Sequence, residues 1–218
     1  MFVDALSPED MMLPTHALVG MALALPLVWV APDLASVALL SGFVGGVVPD
    51  LDLYAGHRRT LHFPTLYPAL AVPAVLLAAA RPGTATVGVA FVLLGAAAHC
   101  RMDIYGGGLE LRPWEGNSDR AVYDHVAGEW RRPRRVVTYD GSKGDLAIAA
   151  AAGTVLLVVV EWPLVALVAG ALAVGAVYVL LRRRLAAIAP AVFGLVPEPL
   201  DRYVPDRYES DPSEPEPP

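Results

Sequence analysis

The chain reads as an all-α polytopic membrane bundle of about six spans arranged as three hairpins. Three observations predict it. The 218 residues are 56% hydrophobic and only 17% charged, with a mean hydropathy of +0.51, whereas soluble domains sit near half apolar and a quarter charged. The apolar runs come in pairs, each pair split by two or three turn-forming residues. The long polar segments all fall at the opposite ends of those runs.

The first pair is roughly Ala17 to Ala31 and Leu34 to Val48, split by Pro32 and Asp33. The second is Leu66 to Ala80 and Ala85 to Cys100, around Arg81, Pro82 and Gly83. The third is Leu146 to Val160 and Leu164 to Leu181, around Glu161, Trp162 and Pro163. A span wants about 20 residues, within about 17 to 25, so flanking residues must complete several of these. A soluble bundle would need six helices without a polar face, more than a chain of this size can hide.

This hairpin order puts the three tight turns on one side. The polar segments 49–65, 101–145 and 182–218 lie on the other, with the N-terminus. Arg81 is the only basic residue on the tight-turn side, and Arg182-Arg183-Arg184 stand where the sixth run ends. The positive-inside rule therefore places the polar side, and both termini, in the cytoplasm, with the protein multi-pass in the inner (cytoplasmic) membrane. Residues 1–195 read as the integral membrane domain, including loop 101–145. Residues 196–218, acidic and Pro-rich, read as a disordered tail. The first ten residues carry Asp4, Glu9 and Asp10 without Lys or Arg, unlike a cleavable signal. A net charge of −6 argues against nucleic acid as a partner and leaves membrane lipid as the expected surroundings. The single cysteine, Cys100, excludes an intramolecular disulfide framework.

Ionisable residues at the ends of apolar runs are costly and point to a site. His16 opens the first run behind Thr15, a candidate N-cap. Asp50 and Asp52 close the second, and His57, Arg58, Arg59 and His62 follow. His99 and Asp103 close the fourth at i, i+4 spacing, on one helical face. All of these fall at one side of the membrane. His and carboxylate are the ligand types of zinc, manganese and iron sites. The supply is His16 from one helix, Asp50 or Asp52 from a second, His57 or His62 from a loop, and His99 with Asp103 from a third. That suffices for two metals, or for one metal and a general base. A bound metal would bring the pKa of a water toward neutrality, and Arg58 and Arg59 could hold an anionic substrate group such as a phosphate.

Loop 101–145 is long for a connection. Gly106-Gly107-Gly108 offers flexibility, and Trp114, Tyr123, Trp130 and Tyr139 suit an interfacial layer. Arg131, Arg132, Arg134 and Arg135 read as headgroup contacts. Arg135 to Gly141 reads as a short strand ending in a turn, Asp145 as a cap for the fifth helix, His125 as structural, and the whole loop as a lid. His-Glu-x-x-His, a Gly-x-Ser-Gly turn, a phosphate-binding loop and a dinucleotide fingerprint are all absent.

Taken together, Thr15-His16-x3-Gly20, Pro49-Asp50-Leu51-Asp52, His57-Arg58-x3-His62 and His99-x3-Asp103 resemble the YdjM-like membrane-bound metal-dependent hydrolases, a LexA-binding, inner-membrane-associated family. The likeness covers about residues 11 to 105. It implies an integral membrane hydrolase in which His16, Asp50, Asp52, His62, His99 and Asp103 are metal-site residues. His57 and Arg58 would form its catalytic histidine-arginine loop. A LexA-type partner is implied by the resemblance alone. Two departures stand out: Arg59 where the family has glycine, and Phe63 where it has serine.

The expected activity is hydrolysis, a metal-activated water attacking an ester. The cofactor expected is a divalent ion, zinc or manganese, and the substrate phosphoester or lipid-related. The competing class is a non-enzymatic membrane protein that uses the same His/Asp cluster as a structural or regulatory metal site.

Overall fold

The computed structural model describes residues 11–197 except Tyr54, together with Val204. The expectations of no signal over the first ten residues and of a disordered tail beyond 197 lie outside the described residues, Val204 apart.

The chain is mostly helical. Its order is α1 (Leu13–Ala22), α2 (Leu27–Val30), α3 (Pro32–Val47), a 3₁₀ turn (Val48–Asp52), α4 (Leu66–Ala80), α5 (Thr84–Tyr105), a short 3₁₀ turn (Pro113–Glu115), β1 (Val122–Asp124), β2 (Glu129–Arg131), α6 (Lys143–Val159) and α7 (Leu164–Phe193). Four stretches are long and apolar enough to cross a bilayer: Leu13–Val30, Pro32–Asp52, Thr84–Tyr105 and Leu164–Phe193. Helices α4 and α6 are shorter, with 15 and 17 residues.

Proline and glycine set several boundaries. Pro26 has no N–H to return to Ala22, and the chain runs through turns between α1 and α2. Pro32 opens α3 with Asp33 in the first turn, where a carboxylate suits the helix dipole. Pro49 closes α3 into the 3₁₀ turn that carries Asp50 and Asp52. Ser142 caps α6 by accepting the Asp145 N–H, so Asp145 is the third residue of that helix and not its cap. Thr15 likewise lies inside α1 and donates to the Asp145 carboxylate. Asp145 also accepts the N–H groups of Met12 and Gly141 at 2.7 and 2.9 Å, which ties α6 to the start of α1.

Helix α3 packs between α1 and α5 with almost no side chain at the crossings. A Cβ on Gly20 would strike the Gly42 carbonyl, one on Gly46 the His16 carbonyl, and one on Gly95 the Gly42 carbonyl. Small residues are what let helix backbones approach this closely. Below this seam Leu18, Met21, Ala38, Leu39, Phe91, Leu156 and Val168 form the apolar core. Outer faces stay apolar: Leu70, Val72 and Leu76 on α4 and Val174, Val177 and Leu180 on α7 are all exposed.

Two local expectations fail in the connecting loop. The strands are β1 and β2, paired antiparallel as Val122↔Arg131, Tyr123↔Trp130 and Asp124↔Glu129, and Arg135 to Gly141 is not a strand. The turn forms upstream because the Asp124 carboxylate accepts the Val126 and Ala127 N–H groups, and Gly128 supplies the left-handed residue (φ 71°). After β2, the N–H groups of Arg134, Arg135 and Val136 reach the carbonyls of Ile104, Gly106 and Tyr105, closing the open end of α5. Gly106, Gly107 and Gly108 are buried in this junction and do not form a flexible hinge. Helix α7 continues beyond Arg182-Arg183-Arg184 to Phe193.

Candidate metal centre

The ends of α1, α3 and α5 meet at one level, and residues 55–63 fold over them. His16, Asp52, His62, His99 and Asp103 are all buried; the Asp50 side chain is 22% exposed.

The histidine tautomers follow from their partners. His99 Nδ1 lies 2.7 Å from the Gly46 carbonyl. Gly46 lies in the last turn of α3, where carbonyls are open to partners from outside the helix. A carbonyl only accepts, so His99 Nδ1 carries the proton and Nε2 offers a lone pair. His62 Nδ1 donates in the same way to Asp52 Oδ2, at 3.0 Å, and its Nε2 is likewise a lone-pair donor. The two Nε2 atoms face one another at 3.2 Å. Asp103 Oδ2 lies 3.2 Å from each of them. Asp50 Oδ1 lies 3.6 Å from His62 Nε2 and 3.4 Å from His99 Nε2. Asp103 Oδ2 is buried without a hydrogen-bond partner. Buried acceptors are normally satisfied. Asp103 and Asp50 each close on the same pair of histidine nitrogens, in an arrangement able to hold a cation.

The spacings test the fit. Ligands about 2.0 to 2.1 Å from a tetrahedral ion stand about 3.3 Å apart, and the five separations above run from 3.2 to 3.6 Å. Two overlapping groups, His16/His99/Asp103 and Asp50/His62/His99, each bring their ligand atoms within 4.8 Å of one another. They share His99, which has only one nitrogen to give, since Gly46 holds the other.

The remaining expected residues surround these four. Asp52 has both oxygens engaged: Oδ1 accepts from His57 Nδ1 at 3.2 Å and the Arg58 N–H at 3.3 Å, and Oδ2 accepts from the Leu61 N–H at 2.9 Å and from His62. It orients two histidines of the loop. His16 stacks on His99 with ring centroids 3.9 Å apart. Its Nε2 faces two acceptors, Asp103 Oδ1 at 3.1 Å and the Met11 carbonyl at 3.1 Å, so that nitrogen is a donor here and its buried Nδ1 has no hydrogen-bond partner. His57 stands at the rim, 15% exposed and 4.0 Å from Asp50.

Arg58 departs from the expected anion-holding role. It is 3% exposed, and its guanidinium donates to Asp103 Oδ1 at 3.3 Å and to the carbonyls of Gly107 and Ala121 at 3.2 and 3.3 Å. Arg59 is exposed, with its guanidinium over the Tyr123 ring. Of these two arginines it is Arg58 that takes positive φ (61°), so Arg59 sits in this loop without backbone strain. Phe63 packs against Tyr67 and His125, and His125 reaches the Arg59 carbonyl.

His62, outside the helices, illustrates the electrostatics. Burial alone would lower its pKa, but the carboxylates of Asp103, Asp50 and Asp52 outweigh burial and push it up to about 9. The carboxylates gathered here favour positive charge, which a proton on His62 Nε2 would supply until a metal ion displaced it. The basic stretch of the loop is engaged: Arg131 pairs with Asp124 at 2.7 Å, and Arg135 donates to the carbonyls of Gly116 and Ser118.

The seam of Gly20, Gly42, Gly46 and Gly95 and the Gly46 carbonyl were not singled out from the sequence. The signal that could have found them is the glycine spacing on the helices that carry His16, Asp50 and His99. No family model, curated protein or solved structure matches the chain.

Proposed function

We propose that the chain is a multi-pass membrane hydrolase, with α4 and α6 completing six spans and both termini in the cytoplasm. In this reading Asp50, His62, His99 and Asp103 hold one divalent ion, zinc or manganese, at the cytoplasmic boundary of the inner membrane. The observation that carries it is the pair of histidines whose Nδ1 protons are committed to Gly46 and Asp52 while their Nε2 lone pairs meet two carboxylates. The resemblance to the YdjM-like hydrolases, through His16, the Asp50/Asp52 pair, the His57-to-His62 loop and the His99/Asp103 pair, points the same way.

An ion held there supplies Lewis acidity and makes a water more acidic. The residues of the chain do the rest. Asp52 fixes the ring plane of His62, and Gly46 that of His99; such outer partners are worth about 10- to 100-fold in metal affinity. His57, at the exposed rim beside Asp50, is placed to exchange a proton with a substrate arriving from that side. Arg59 is the exposed cation of the loop and the candidate contact for an anionic ester, a phosphoester of a lipid among them. The burial of all ligands but Asp50 favours a second reading, a closed structural or regulatory ion.

Elemental mass spectrometry of the purified protein tests the metal reading. The expected result is near one zinc or manganese per chain, lost in folded His99→Ala and Asp103→Ala. A folded protein that stays metal-free after reconstitution with either ion overturns it. Turnover of a chromogenic phosphoester panel, lost in His57→Ala with the metal retained, separates the hydrolase from the closed site.

A further inference from the structure

We propose that the segment from Gly106 to Arg131 is a cover seated on the metal centre, and that Arg58, as a positioning residue, makes ion binding depend on that seat. The proposal rests on the metal reading above. Arg58 holds a left-handed backbone (φ 61°), which a non-glycine residue adopts at a cost and keeps only where its surroundings enforce it. What enforces it comes from both sides. Its N–H donates to Asp52, and its carbonyl accepts the Tyr123 N–H of β1 at 2.9 Å. Its side chain then joins three acceptors with one planar fork: Asp103 of α5, Gly107 at the exit from that helix, and Ala121 at the approach to β1.

A guanidinium is rigid, so its donors cannot be re-aimed one at a time. Lifting the cover removes the Gly107 and Ala121 acceptors and the Tyr123 clasp together. It thereby frees the group that steadies Asp103 through Oδ1 while Oδ2 faces His62 and His99. The outer anchor of the cover is Asp124, which accepts from Thr65 at the start of α4 at 2.7 Å and from Arg131 at 2.7 and 3.0 Å. Seat and ion are thus two ends of one lever, and coupling of this kind is reciprocal.

The experiment measures Zn²⁺ affinity, by competition with a chromophoric chelator, beside tryptic cleavage of the loop. It uses the full chain as wild type, Asp124→Asn, Arg58→Gln, Arg58→Lys and the Asp124→Asn/Arg58→Gln double variant. Asp124→Asn is expected to weaken Zn²⁺ binding about tenfold and to have no further effect once Arg58 is Gln. Arg58→Lys, with the charge but not the fork, is expected to fall between wild type and Arg58→Gln. In the wild type, Zn²⁺ is expected to slow cleavage after the exposed Arg131 at the end of the cover, which keeps the test available even if an Arg58 variant does not fold. Additive losses, or a loop opened by Asp124→Asn with Zn²⁺ affinity unchanged, overturn the coupling. A folded wild type that binds no Zn²⁺ or Mn²⁺ overturns the metal reading instead.

Discussion

Helices α1, α3 and α5 and helices α4 and α7 are built from similar apolar residues and solve opposite problems. The first three meet through glycine, bury His16, His99 and Asp103, and leave little room for adjustment. The other two turn leucine and valine outward; α4 buries only Ala71. Hydrophobicity alone does not separate the two sets. The difference lies in where the small residues fall and where a polar group ends an apolar run. A buried polar cluster needs backbone held at fixed separations, and glycine seams provide that without competing side chains.

The sharpest way to break the contrast is to add volume to the seam. Gly42→Val places side-chain atoms where Gly20 and Met21 backbone already lies. Overpacking of this kind costs about 1 to 3 kcal/mol or more, and we expect a large fall in thermal stability in detergent with loss of metal binding. Retention of both would separate the seam from the site. Asp145→Ala comes next, because it strips partners from the buried donors of Met12, Thr15 and Gly141. Each buried donor left unpaired costs about 1 to 3 kcal/mol, read as a lowered unfolding midpoint.

Asp52→Asn sharpens the comparison within the site, since it leaves the seam intact and disturbs the support of His57 and His62 together with the anchoring of the Arg58 and Leu61 N–H groups. A drop of about 10- to 100-fold in zinc affinity is expected, with stoichiometry kept; full loss of the ion would make Asp52 a ligand.

A smaller effect concerns pH. Asp124 sheds water on burial, which would raise its pKa, but Thr65 and Arg131 outweigh that and bring it from 3.8 to about 2. A depressed carboxylate contributes stability above its unfolded pKa, and that contribution is lost as pH falls from about 4 to about 2. The emission of Trp130, kept as the sole tryptophan, should report the hairpin loosening across that window, and Asp124→Asn should remove the dependence. The smallest effect belongs to the outer face: Leu76→Ala on α4, 65% exposed, should move detergent stability by less than about 0.5 kcal/mol.

Much of this architecture is legible in the residues. The run from Leu66 to Ala80 coincides with α4, and the successive runs that became α4 and α5, and α6 and α7, pack against one another. The polar groups expected to gather at one level do gather there. What escapes is whatever depends on partners distant in sequence. Arg58 reads as a free cation, yet its acceptors come from positions 103, 107 and 121. Asp50 and Asp52 are indistinguishable as types, and only the loop N–H groups that converge on Asp52 separate a ligand from its support. Three arginines read as the end of a helix, but the Ala-rich stretch beyond them keeps α7 helical to Phe193.

The length of α7 has a consequence of its own. Thirty helical residues rise about 45 Å, against a hydrocarbon layer of about 30 Å. The surplus helix cannot all lie within that layer, and Arg182 on it clasps Asp140 of the connecting loop through two bonds, at 2.8 and 2.9 Å. A thinner bilayer would tilt such a helix, and a thicker one would stand it upright. With α7 across a bilayer, either adjustment would pull on the loop that also carries Gly107 and Ala121, and the thickness of the surrounding lipid would become a mechanical input to the His/Asp cluster beneath.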